Sequence, residues 1–296
     1  MKKTLVAVAA LVATGAFAEV KITGLIEAGI MMPASGSNYM ASGGNGGSEF
    51  TLSGGEDLGN GLKAEFAYTL INNMFASSCG GNTATGGCGT AANGISTYQS
   101  FVGLGGEFGS LKLGSQFSPA FFATNVGDAF GQAAGTVNRA ALGGQIPSSI
   151  TYTSPSFSGV TVSYMQNQQT TAASDMTSYS VTYSAGALTA AYGSSTTASV
   201  ASSVIAANYD LGVAKLFVTS KSGGGTGVKT ASNFGVQVPV SNVILAYSYS
   251  SGGATTAKTG SNIAAVYMFS KRTSATLLNG NDNGTKFNFA GIRHTF

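Results

Sequence analysis

Tryptophan is absent from this 296-residue chain, histidine occurs once, cysteine twice and proline five times, and only 8% of the residues are charged. A soluble domain ordinarily carries about 25% charged residues, so this surface is short of charge roughly threefold. One histidine and two cysteines argue against a metalloenzyme, whose ligand sets draw on clusters of both, and no cofactor is expected. Disorder is excluded because the mean hydropathy is +0.20, whereas disordered chains combine low hydrophobicity with high net charge. Beyond the N-terminus no apolar run approaches the ~20 residues that a spanning helix needs. The 43 glycines lack the three-residue period of collagen. What remains is a β-rich chain whose surface is not built for water alone.

The first eighteen residues read as an address. Lys2 and Lys3 precede an apolar stretch from Leu5 to Ala13, and Ala16-Phe17-Ala18 forms a small-x-small cleavage box. That is the pattern of a secretory signal peptide, and the apolar part is too short to span a bilayer as a helix. The expected organisation is a signal peptide over 1–18 and a single domain over 19–296. Cleavage after Ala18 would leave 12 basic against 11 acidic residues, a net charge near +1. So small a balance gives no steering of nucleic acid, and no nucleic-acid partner is expected. In an exported chain, Cys79 and Cys88, within SCGGNTATGGCG, are expected to pair as a disulfide pinning one loop. The loop is short, so the chain-entropy contribution is at most about 2–3 kcal/mol. A metal or redox role is the weaker alternative: no histidine is near and the spacing is not CxxC.

The hydrophobic period is two. Val20, Ile22, Ile26, Ala28 and Ile30 share one parity, with Lys21, Thr23, Glu27 and Gly29 on the other. Leu62, Ala64, Phe66, Tyr68 and Leu70 alternate in the same way with Lys63, Glu65, Ala67 and Thr69. This is a strand with one apolar and one polar face. Sixteen such strands are predicted, near 20–31, 48–56, 61–71, 98–107, 110–117, 147–154, 159–167 and 177–185, then 187–195, 203–210, 213–220, 232–239, 242–250, 261–270, 272–279 and 286–296. Short turns such as EDLGNG (56–61), GEFG (106–109), DLG (210–212) and PVSN (239–242) alternate with longer Ser/Thr/Gly segments such as 32–47, 72–97, 118–146, 221–231 and 251–260. Short connections at one end and long ones at the other are the signature of an up-and-down transmembrane barrel. A soluble sandwich would carry charge on its outer faces, and a solenoid adhesin would show a fixed short repeat. Closure also gives every backbone donor in lipid a partner.

Aromatic residues near strand ends, among them Phe50, Tyr68, Phe101, Tyr164, Tyr183, Tyr192, Tyr209, Tyr247, Tyr249, Tyr267 and Phe269, suggest interfacial girdles. His294 shares the parity of Ala290, Ile292 and Phe296, which places it at the membrane interface and away from any catalytic set.

GGEDLGNGLKAEF (54–66), FVGLGGEFGSLKLG (101–114), SITYTSPSFSG (149–159), DLGVAKL (210–216), SKRT (270–273) and GIRHTF (291–296) resemble, in order, the general diffusion porins of Gram-negative bacteria, most closely those of β-proteobacteria. The resemblance implies an all-β fold: a sixteen-stranded antiparallel transmembrane β-barrel, assembled as a homotrimer, with a long third loop folded into the lumen. It implies an outer-membrane channel for passive diffusion of small hydrophilic solutes, with lipopolysaccharide and outer-membrane lipids as neighbours. The third loop would be 118–146, whose length is well beyond an ordinary hairpin connection. It mixes Phe121, Phe122, Val126 and Phe130 with Asp128 and Arg139. The second loop, 72–97, would reach towards a neighbouring subunit.

In a channel the useful residues set bore and field. From alternation, Lys21, Glu27, Glu49, Lys63 and Glu65 face the lumen. Asp128 is the candidate acid on the loop and Arg139 a candidate base. Related porins often carry arginine where this chain has Glu49, Ser53 and Ser115, so the expectation is weak selectivity tilted towards cations. The alternatives are a non-conducting structural or adhesive barrel, distinguished by a plugged lumen, and a substrate-specific porin in which Tyr98, Phe121, Phe122 and Phe130 stack a sugar. An enzyme built on the barrel lacks a recognisable catalytic set.

Overall fold

The alternation is realised as one closed sheet. A computed structural model describes residues 19–42, 48–72, 95–131, 138, 140, 142, 144–168, 175–225, 228, 230–253 and 258–296. The expected signal segment, Cys79, Cys88 and Arg139 lie outside the described residues. Seventeen strand segments follow in order: β1 Glu19–Pro33, β2 Tyr39–Ala41, β3 Glu49–Gly59, β4 Leu62–Asn72, β5 Ile95–Gly106 and β6 Gly109–Phe117. After the helix α1 (Pro119–Val126) come β7 Gln145–Thr153, β8 Val160–Asn167, β9 Met176–Ala185, β10 Leu188–Thr197 and β11 Val200–Asp210. The wall is completed by β12 Lys215–Gly223, β13 Ala231–Val240, β14 Val243–Ser251, β15 Thr259–Met268, β16 Thr273–Asp282 and β17 Thr285–Thr295.

Seventeen segments make sixteen barrel positions. β1 pairs through Glu19–Leu25 with β3 and through Gly29–Met31 with β2, so β2 and β3 are two halves of one staggered strand. At the break, the Glu27 backbone N–H donates to Ser48 Oγ at 3.0 Å, and the Ser48 hydroxyl donates to Glu27 O at 3.3 Å. A serine side chain thus replaces ladder bonds lost at the irregularity. Every successive pair is antiparallel, and β17 closes on β1 with Leu25 opposite Thr295 and Pro33 opposite Phe287. Closure removes the sheet edge that lipid could not satisfy.

The two faces separate as the alternation predicts. Val20, Ile22, Ile26 and Ile30 are exposed on the outside of β1, while Glu27 and Met31, of the opposite parity, are buried. Val102 and Leu104 on β5, and Leu245, Tyr247 and Tyr249 on β14, continue the outer apolar band. Phe101 corrects the aromatic-girdle expectation. It has the opposite parity to Val102, and Lys112 Nζ lies over its ring at 4.5 Å, so it faces inward.

The connections at the long-loop end are not uniformly long. β10 and β11 join through Ala198–Ser199 (φ 47° and 68°), and β16 and β17 through Asn283–Gly284 (φ 52° and 92°). Two successive left-handed residues make the tight hairpin whose twist matches the strands. Three of the joined strands, β10, β11 and β16, therefore run further towards these turns than the predicted 187–195, 203–210 and 272–279.

Candidate functional site in the barrel interior

The segment after β6 turns inward and lies flat on the wall. Ser118 caps α1, its Oγ accepting from the Phe121 N–H at 3.2 Å, and Pro119 occupies the first turn, where its missing N–H costs nothing. Five hydrogen bonds then tie the segment to inward-facing residues of β9, β11, β12 and β13. The Ala120 N–H donates to Ser178 Oγ on β9 at 3.2 Å, and Asn208 Nδ2 on β11 donates to Val126 O at 2.7 Å. Thr219 Oγ1 on β12 and Asn233 Nδ2 on β13 both donate to Gly127 O, at 2.9 and 3.2 Å, and Gln237 Nε2 donates to Ala129 O.

Small residues permit the close approach. A Cβ at Gly193 would fall 2.7 Å from the Ala123 Cβ, and one at Gly235 would fall 2.7 Å from the Ala129 Cβ. Ala120 and Ala123 pack with Leu142, Ala191 and Val204 into a buried cluster. The loop backbone spends its carbonyls on wall side chains, so it is held by matched polar partners as well as by packing.

Asp128 serves this arrangement directly. Its Oδ1 accepts from the Phe130 N–H at 2.9 Å and its Oδ2 from Asn138 Nδ2 at 2.6 Å, and it is only 5% exposed. The loop acid predicted from sequence is therefore a brace within the loop, and it also borders the remaining space. At the root of the loop, Tyr98 meets Phe117 edge-on with ring centres 4.5 Å apart, and Phe117 stacks on Phe121 at 4.3 Å.

A cavity of about 630 Å³ remains between the loop and the opposite wall. Glu49 on β3, Tyr98 on β5 and Arg293 on β17 line one side, and Lys215 on β12 and Gln237 on β13 line the other. The register explains the first grouping. Arg293 stands directly opposite Glu27, and Leu25, two residues along β1, stands opposite Glu49. Residues two apart on a strand share a face, so all of these point into the interior.

Alternation placed Lys21, Glu27, Glu49, Lys63 and Glu65 on the inner parity, and the register separates them by height. Lys21 pairs with Glu19 at 3.2 Å, both exposed, at a rung opposite Ser53. That rung is four residues along β3 from Glu49, or about 13 Å. Glu65 stands opposite Gly55, six residues or about 20 Å from Glu49, and is paired with Lys112 at 3.5 Å. Lys63 lies opposite Asp57 at the tight-turn end. Among the described candidates, only Glu27, Glu49 and Asp128 belong with the loop.

Sequence reasoning passed over Arg293 and Lys215. The signal was present for Arg293, because in GIRHTF it alternates against Ile292 and His294, whose parity is outward. His294 itself is on the outer face, its Nδ1 2.9 Å from Thr273 Oγ1. Among the described residues no group of three or more His, Cys, Asp or Glu is arranged to hold a metal ion.

The model of the Gram-negative porin family matches residues 4–285. The major outer membrane protein P.IA of Neisseria meningitidis serogroup C is 35% identical over 116 residues, covering 38% of this chain and 26% of the relative. In serogroup B (strain H44/76) the same protein is 32% identical over 148 residues, covering 49% and 33%. The matched segments thus span a third or less of these relatives' length. Among solved structures, an anion-selective porin from Comamonas acidovorans superposes with a TM-score of 0.75 at 22% identity, covering 94% of this chain and all of that one. An engineered variant of the Rh. blastica porin superposes at 0.74 with 12% identity over 94% of this chain and all of that one. From the family match over nearly its whole length, and from the closed sixteen-position barrel, the chain belongs to the Gram-negative porin family and is a protein of the outer membrane.

Proposed function

We propose that the protein is a water-filled channel for passive diffusion of ions and small hydrophilic solutes, weakly charge-selective and without enzymatic activity. The observation that carries this reading is the interior cavity, bounded on one side by an immobilised loop and on the other by wall residues of both charge signs. No bond has to form or break. A solute crosses where the loop leaves room, and the charges in a low-dielectric wall set the local field.

The sign of that field follows from the inventory. Glu27 and Glu49 stand near Arg293, Asp128 borders the space from the loop and Lys215 faces Glu49, so three acids meet two bases and the balance is slightly acidic. The Comamonas neighbour is named for anion selectivity. In this chain Glu49 and Ser53 stand where related porins often carry arginine, which supports a weaker preference. Glu49→Arg moves the reversal potential in a salt gradient towards the anion side, and Arg293→Gln moves it towards the cation side. A reversal potential unchanged in both variants would place both residues outside the selective zone.

The assembly proposed with this function is a homotrimer set among lipopolysaccharide and outer-membrane lipids. Residues 1–18 are removed on export, and Cys79 and Cys88 are joined in the second loop. Swelling of liposomes carrying the protein in sugars of graded size tests the reading: swelling that falls off with sugar size supports it. Folded barrels that admit no sugar at all would favour a structural or adhesive barrel.

A further inference from the structure

The cavity is not uniformly polar, as a simple aqueous passage would be. On the β12–β15 side its lining includes Phe217, Ile244, Ala246 and Val266, with Gln237, which donates to Ala129 O, between Lys215 and Ala246, and Phe130 of the loop faces the same space. These side chains come from the inward parity, where alternation elsewhere on the barrel places serine, threonine and asparagine. The same side carries one cation, Lys215, whose Nζ lies 5.5 Å from the centre of the Phe217 ring. Among the described residues Lys215 makes no ion pair. Of the other ionic groups at the cavity, Glu49 and Arg293 lie across from it on β3 and β17, and Asp128 has its two carboxylate oxygens turned to the Phe130 N–H and Asn138 within the loop.

We propose that this apolar strip with Lys215 at its edge is a subsite for small organic anions with an apolar body, of the size and chemistry of an aromatic monocarboxylate. The apolar body displaces water from Phe217, Ile244 and Val266, which is favourable in proportion to the area covered. The carboxylate then meets the Lys215 ammonium, which is next to the strip, while Glu49 is on the far wall. An organic cation of the same shape would bring its charge against Lys215, and a small polar anion gains nothing from the strip. The inference rests on the channel reading above.

The test is the potassium chloride current through the full-length protein in a planar bilayer, with sodium benzoate, sodium acetate or benzylammonium chloride added. Burial of one ring face predicts that benzoate reduces the current at roughly tenfold lower concentration than acetate. Benzylammonium is expected to act no more strongly than acetate. In the double variant Ile244→Thr, Val266→Thr the difference between benzoate and acetate collapses, and in Lys215→Gln benzoate loses its advantage over benzylammonium. Val266→Thr and Lys215→Gln keep the side-chain atom count and Ile244→Thr removes one carbon, and the chloride current itself reports that the barrel has folded. Equal effects of benzoate and acetate on a protein with an ordinary chloride current would overturn the subsite and leave the channel intact. Equal effects of benzoate and benzylammonium would overturn its preference for anions. Absence of any chloride current from folded protein would instead overturn the channel reading.

Discussion

Asp128 lies at the edge of the aqueous cavity, yet both of its carboxylate oxygens are committed to the loop, to the Phe130 N–H and to Asn138. Replacing it with alanine leaves a half-buried N–H and a half-buried side-chain amide without these acceptors, a local cost of about 1 kcal/mol. The expected outcome is a loop that samples more than one position, seen as added noise in the open-channel current. Arg139, predicted beside it, lies outside the described residues. For the inner wall, parity alone identified five charged residues, and all five share the inner face. What parity could not supply was height. Lys21 and Glu65 differ from Glu49 by whole rungs, and a rung is fixed by cross-strand register, which depends on the partner strand and its turns. Arg293 shows the complementary case. Its parity was legible in GIRHTF, but its closeness to Glu27 exists only because the last strand closes on the first.

At the scale of elements, the loop's position follows from two matched features, hydrogen-bonding side chains on β9, β11, β12 and β13 and glycines on β10 and β13. The glycine contacts give a test of this account. Gly193→Val places a branched side chain where Ala123 now sits. The wall strand is part of the ladder and cannot yield easily, so the helix moves off the wall towards the cavity. The expected result is a reduced single-channel conductance with a barrel of unchanged strand content by circular dichroism. An unchanged conductance would mean that the loop does not set the bore. The sequence made the loop visible through its length and its four large apolar residues. It could not show that Gly193 and Gly235 were the seats, because a glycine in a strand reads equally as a bulge or a weak spot.

The whole molecule was the most legible scale. Alternation with a period of two, repeated over sixteen segments, forces an inside and an outside, and the scarcity of charge says that the outside is not water. The misread features are local. β2 and β3 share one position because Ser48 substitutes for a ladder partner at Glu27, and of the two loop-end connections that are two-residue hairpins, the one between β10 and β11 has Ala198 and Ser199 as its left-handed residues and carries no glycine signal. Both concern how strands join, not which face they present. The interior combines a braced loop, charges of both signs and an apolar strip, and each of these acts on a solute only if the lumen conducts.

That dependence makes single-channel conductance of the purified protein in a planar bilayer, measured across a salt gradient, the most direct test. The account predicts stable open steps in groups of three, from three parallel pores, with a small reversal potential that Glu49→Arg moves towards the anion side. Correctly folded barrels that carry no current would contradict it.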